Sequence, residues 1–265
     1  MVDLYDIRSI SLNNPTRMKK YLLVWCSEGR ISMVVDHKEI TVRKNEALTI
    51  TSGQYHAFLD VAGAAGFVLE FTYDFMCKSD TDIELIFQNS LFCHFDYNEV
   101  IAIAEPHAIV DHLSIIAEEL QTQPFQYLTT IHARIGLILV EINRAKIRSG
   151  GEVWKPDALF LRFLEFIRNH FEQNYPLAEI AQQLQTTTTR LNELAKLHTG
   201  KTAQNVLYGL MISEAKRIIQ YENLMLKEIA FKLGFNDPFY FSRFFKSHTG
   251  MSPSAYQESV KTMQY

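Results

Sequence analysis

The chain has 265 residues, 47% hydrophobic and 21% charged, a composition that excludes disorder as the overall state and provides one large core or two ordinary ones. Its longest run without Asp, Glu, Lys or Arg, 120–133, is 14 residues and carries Gln121, Gln123, Gln126 and His132, whereas a membrane span needs roughly 20 apolar residues. The net charge of −4 argues against a nucleic-acid partner until the chain is divided: residues 1–154 carry 13 Lys+Arg against 20 Asp+Glu, net −7, and residues 155–265 carry 13 against 10, net +3.

The N-terminus holds Asp3, Asp6 and Arg8 with no apolar stretch, so no secretory leader is expected. Cys26, Cys77 and Cys93 are odd in number and widely spaced. They suit a reducing cytoplasm better than a disulfide frame or a zinc site.

From 21 to 75 the chain reads as strands: 21–26, 31–35, 40–42, 47–51, 57–61 and 66–75 are rich in Val, Ile, Leu, Phe, Tyr and Thr. Turn-like breaks separate them at roughly ten-residue spacing, which predicts a sandwich or small barrel. Such a barrel can hold one small ligand. Trp25, Arg30, His56, Phe58 and Phe67 are candidates to line the cavity, although phenylalanines on strands also serve as plain core. No two histidines stand one residue apart, and His107 and His112, five apart, do not share a helix face. Neither a metal nor any other cofactor is expected, and no phosphate loop or nucleophile elbow is present.

From 80 to 148 the pattern turns helical. Helices are expected over 109–121 and 127–148, separated by Gln123-Pro124 and folded back as an antiparallel hairpin. The second is apolar over much of its circumference around Gly136 to Val140. It therefore either packs on its own barrel or meets a second copy of the chain, with Ile138 and Leu139 as the side chains that would face the partner. Ser149-Gly150-Gly151 ends this helix, and 149–156 reads as a short linker closed by Pro156.

Beyond the linker one unit is used twice. Leu177-Ala178-Glu179-Ile180-Ala181-Gln182-Gln183-Leu184 matches Leu226-Lys227-Glu228-Ile229-Ala230-Phe231-Lys232-Leu233 at an offset of 49, and Lys196 to Gly200 matches Lys246 to Gly250 at 50. Each unit reads as helix, turn, helix. Thr187 and Asp237 are N-caps, Pro238 is a first helical residue, Gly234 closes the first helix of its unit, and Gly200 and Gly250 close the second helices. Leu191, Leu194, Phe244 and Phe245 are the expected cores. Between the units, 202–221 forms one helix pattern about 30 Å long at 1.5 Å per residue, close to the ~34 Å between successive major-groove faces of DNA.

Over 157–257 the sequence closely resembles the AraC/XylS-type transcription regulators. The most specific stretches are Ile229-Ala230 through Gly234-Phe235, Tyr240-Phe241-Ser242-Arg243-Phe244-Phe245-Lys246, and Thr249-Gly250-Met251-Ser252-Pro253-Ser254-Ala255-Tyr256. The resemblance implies an α+β chain of two domains. Residues 1–148 would be a cupin-like β-barrel with a helical hairpin, binding an effector and dimerising. Residues 149–156 would be the linker, and 157–265 an all-α DNA-binding domain of two helix-turn-helix units joined by a long helix. By analogy the DNA face comprises Thr188, Thr189, Arg190, Asn192 and Glu193 in the first unit and Pro238, Phe239, Tyr240 and Arg243 in the second. Lys196, Lys201 and Lys246 would hold phosphates. Glu193 departs from the pattern: it can accept from cytosine N4 but repels phosphate. The implied partners are double-stranded DNA, RNA polymerase, a small-molecule effector and a second copy of the chain, in the cytoplasm and without catalysis. The rival reading is a cupin-like enzyme or sugar-binding protein fused to a helical domain. A third is a regulator whose barrel only dimerises.

Overall fold

A computed structural model describes residues 1–12, 14–36, 38–92, 98–150 and 153–263; Cys93 and Gly151 fall outside them. The chain divides into two compact units, Met1–Ala158 and Leu159–Tyr265.

In the first unit the strands are β1 (Val2–Asp6), β2 (Thr16–Arg17), β3 (Tyr21–Glu28), β4 (Arg30–Val35), β5 (Lys38–Arg43), β6 (Glu46–Ile50), β7 (Tyr55–Asp60), β8 (Ala65–Phe71) and β9 (Val100–Ala102). They form two antiparallel sheets, ordered β1-β8-β3-β6-β9 and β2-β7-β4-β5. The strand pattern continues past its expected span at both ends of the larger sheet. β1 pairs with β8, Val2 opposite Phe71, and β9 pairs with β6, Ala47 opposite Ile101. A strand therefore interrupts the stretch expected to be helical from 80 to 148. The strand expected over 66–75 stops at Phe71, because Thr72 is the N-cap of a helical turn, α1 (Tyr73–Met76).

The sheets enclose Leu22, Val24, Cys26, Ile31, Met33, Val35, Leu48, Phe58 and Val68. The other face of β3 is buried as well: Tyr21 stacks on Phe71 at 5.8 Å and meets Phe87 and Phe92 edge-on at 5.9 and 5.2 Å. α2 (Asp80–Phe87) opens with a Ser79/Asp82 capping box. The hairpin follows as α3 (His107–Thr122) and α4 (Tyr127–Arg148), joined through Gln123 and Gln126, both left-handed. α4 packs on α3, α2 and β9, and Ile138 and Leu139 are fully buried within their own unit. Three neighbours account for the apolar circumference, so the two residues expected to face a partner belong to the core.

Ser149 and Gly150 end α4. The segment beyond is fastened at Trp154, which donates its N–H to Asn89 Oδ1 at 2.8 Å and accepts from the Asn89 N–H at 2.8 Å. Asn89 is buried, left-handed at φ +54°, and also donates to Asn143 of α4 at 2.9 Å. Cys26, which is buried, and Cys77 are not joined in a disulfide.

The second unit is all helical: α5 (Ala158–Asn169), α6 (Leu177–Gln183), α7 (Thr188–Thr199), α8 (Ala203–Tyr221), α9 (Leu226–Lys232), α10 (Pro238–Thr249) and α11 (Pro253–Met263). α8 is the common support, touching α6, α7, α9, α10 and α11. Among the described residues no helix is long and apolar enough to cross a membrane.

Candidate functional site

Each helix-turn-helix is built from small local choices. In the first, Gln185 takes the left-handed turn position at φ +53°, and Thr187 accepts the Arg190 N–H at 3.1 Å to start α7. In the second, Gly234 takes that position at φ +72°, and Asp237 accepts the Phe239 N–H at 2.8 Å ahead of Pro238. The one-residue insertion lies between these two landmarks. It admits Phe235, buried against Phe241 and Phe244 at 5.4 and 5.3 Å. Gly200 and Gly250 cap α7 and α10 in the left-handed region.

Leu191 and Leu194 bury the inner face of α7, and Phe241 and Phe245 that of α10. Phe244, expected in the core, is half-buried and packs against Tyr208 of α8 at 5.2 Å. The outer face of α7 presents Thr189, Arg190, Glu193 and Lys196, with Lys201 just beyond; Thr188 is half-buried. The outer face of α10 presents Phe239 at 81% exposure, Tyr240 at 62%, Arg243 and Lys246, with Pro238 half-buried. The two rings are adjacent and leave apolar surface open on this face.

Asn192 does not join that face. Its Nδ2 donates to Thr188 O at 3.0 Å, and its Oδ1 accepts the Ala203 N–H at 3.0 Å. The amide is occupied at both ends because α8 begins beside it and carries an otherwise uncapped donor. Leu197, exposed at 74% on α7, went unnoticed in the sequence because a leucine in an amphipathic helix reads as core.

The first unit holds a cavity of about 310 Å³ to which both sheets contribute, lined among others by Tyr5, Thr16, Leu22, His56, Phe58 and Glu70. His56 and Phe58 line this cavity; Trp25, Arg30 and Phe67 are not among its lining residues. Trp25 pairs with Phe67 across β3 and β8, on the face opposite Val24 and Val68. Arg30 is exposed, one residue from the inward Ile31. The charged groups at the cavity come as a set that the strand pattern left unread. Lys20 Nζ bridges Asp3 at 2.7 Å and Glu70 at 3.0 Å. Burial acts to lower the Lys20 pKa, but its bonds to Asp3 and Glu70 outweigh this and raise it. Burial also pushes the His56 pKa down, against a weak contact to the Gln54 carbonyl, and so disfavours the charged imidazolium. Burial, then Glu70 and Asp3, push the Tyr5 phenol up. An inward-facing Glu70 two residues from Val68 on one strand was the signal available in the sequence.

Two capped helices, each ending a helix-turn-helix and both leaning on α8, define a double helix-turn-helix domain. Residues 180–259 match the family model described as a helix-turn-helix domain. That match lies within the second unit and spans both helix-turn-helix motifs. Among curated relatives, the HTH-type transcriptional activator RhaS of Salmonella paratyphi B is 27% identical over 116 residues, 44% of this chain and 41% of that protein. The match thus spans about 41% of the length of such relatives. Among solved structures, the C-terminal domain of AraT, a response regulator from Geobacillus stearothermophilus, is 26% identical over 38% of this chain and 84% of that one, with a TM-score of 0.36. ToxT from Vibrio cholerae is 13% identical over 97% of each chain, with a TM-score of 0.43.

Proposed function

We propose that the chain is a sequence-specific DNA-binding transcription regulator, with residues 157–265 binding double-stranded DNA. The observation that carries the reading is the pair of capped helices α7 and α10, whose outer faces stay polar, basic and aromatic while their inner faces form the core. α8, with 19 residues, is about 29 Å long at 1.5 Å per residue, a spacing suited to adjacent major-groove segments.

Arg243 tests the reading. It is exposed on α10, six residues beyond the Asp237 cap. A guanidinium bidentate to guanine O6 and N7 supplies about 1–3 kcal/mol of discrimination. Arg243→Ala should weaken binding to a cognate duplex by that amount and leave a scrambled duplex nearly unchanged. Lys246→Ala should weaken both alike and reduce the salt slope by about one. Titrations at several salt concentrations separate the two, and equal losses on both duplexes for Arg243→Ala would remove it as a base reader.

The first unit, residues 1–148, is read as the effector-binding and dimerising part, with 149–156 as linker. Supporting an effector, the cavity combines a buried Glu70, a buried imidazole and an aromatic wall at Phe58. An enzyme in the same barrel has no comparable support. The RNA polymerase contact rests on the family resemblance alone.

Supporting a homodimer, α4 carries a stripe of Thr129, Ala133 and Leu137 continued by Phe125, which is 92% exposed. Leu137→Glu is expected to give monomers by sedimentation velocity with an unchanged circular dichroism spectrum, since Leu137 is exposed within its own unit. A persistent dimer in that variant would move the interface elsewhere.

A further inference from the structure

We infer that the two helix-turn-helix units divide the work unequally: α10 reads base sequence, while α7 holds the duplex without reading it. The inference rests on the DNA-binding reading above and concerns which residues determine specificity. The internal repeat makes the comparison direct, because an offset of 50 places α7 on α10 residue by residue.

Lys196 and Lys246 correspond, and both are exposed, so each helix keeps an ammonium for the backbone. The base-facing positions diverge. Arg243 corresponds to Glu193, so a fork of donors stands on α10 where α7 has a carboxylate. Glu193 Oε2 also lies 3.3 Å from Arg190 Nη1, which offsets the positive charge on the outer face of α7. Within α10 there is no acidic residue. Tyr240 and Phe239 correspond to Arg190 and Thr189, so α10 also offers two exposed rings where α7 has none.

Asn192 completes the contrast. Reading adenine takes a donor and an acceptor of the amide turned to the groove, and here one bond at each end, to Thr188 O and from the first N–H of α8, holds the amide against α8. To meet a base the side chain would have to orphan that N–H. The equivalents in the second unit are Ser242 and Pro253. Proline opens α11 with no N–H, so no latch from α10 is required there. Asn192 is thus a positioning residue: it fixes α7 to α8 and is withheld from the groove.

The test uses the full chain and a randomised duplex library, followed by titration of the enriched duplexes. The expected result is one strongly constrained block and, about one helical turn of 10 base pairs away, a block with little preference. Arg243→Ala should erase the strong block. Glu193→Gln should tighten binding to every duplex alike without changing their ranking. Asn192→Ala should weaken all duplexes by a common factor and lower the melting temperature. Asn192→Asp, which still accepts the Ala203 N–H but adds a negative charge, should recover part of the melting temperature, keep affinity uniformly weakened and leave the ranking unchanged. Two blocks of equal strength would overturn the inference, as would a base preference that shifts with Glu193→Gln or Asn192→Asp while Arg243→Ala has no effect on it. A library with no enriched sequence would remove the DNA-binding reading and this inference with it.

Discussion

Gly234→Ala is expected to loosen the second helix-turn-helix far more than Gly200→Ala loosens the first. Both glycines are left-handed, at φ +72° and +71°. A side chain in that region costs roughly 1–2 kcal/mol at either site. The surroundings then separate them. A Cβ on Gly234 would sit 2.5 Å from the carbonyl oxygen of Glu172 and 2.8 Å from Asn174 Cβ, whereas one on Gly200 would meet nothing within 4 Å. Overpacking against a fixed backbone adds about 1–3 kcal/mol, so the total at Gly234 reaches about 2–5 kcal/mol. Hydrogen exchange on the full chain is the suitable readout, because two units need not unfold together. Amides of α9 and α10 should lose protection while those of β3 and β8 keep theirs. Equal, small effects for the two glycine substitutions would show that the turn relaxes away from Glu172.

Phe245→Ala should cost about 3–5 kcal/mol, the range for deleting a buried phenylalanine ring. Phe245 is fully buried and packs on Phe241 at 6.0 Å and on Tyr256 of α11 at 5.7 Å. Phe239→Ala, six residues earlier on the same helix, removes a ring that is 81% exposed and should leave stability within about 0.5 kcal/mol. Its effect should fall on DNA affinity instead. Thermal unfolding of the two variants, together with duplex titration, separates the inner from the outer face of α10. If Phe239→Ala proves as destabilising as Phe245→Ala, the assignment of faces fails.

The second unit was legible because its information is local. Caps, left-handed glycines and amphipathic spacing act within a turn or two, and the repeat states them twice. What the sequence could not supply was tertiary. Asn192 looks like a surface residue until Ala203, eleven positions on, brings an N–H to it. In the first unit, β3 is buried on both faces from Tyr21 to Cys26, so alternation carried no signal about which side chains point inward. Trp25 and Phe67 lie on the face opposite Val24 and Val68. β9 has three residues and owes its conformation to pairing with β6, a contact more than fifty positions away. The apolar excess of α4 implies contact, but helical spacing alone does not separate packing on α2, α3 and β9 from packing on a second copy.

The latch between Asn192 and Ala203 also bears on how such a duplicated domain can change over time. Each recognition helix keeps its own inner core and leans on α8, so its outer face can vary without refolding its neighbour. A single hydrogen bond to the start of a helix is a small barrier between a silent helix and a reading one. On the division of labour inferred above, substitutions at positions 192, 193 and 203 that copied Ser242, Arg243 and Pro253 would release the α7 latch and give that helix the base-facing chemistry of α10. The silent helix is thus a reserve: its grip on the backbone keeps the duplex in register, and new specificity lies a few substitutions away.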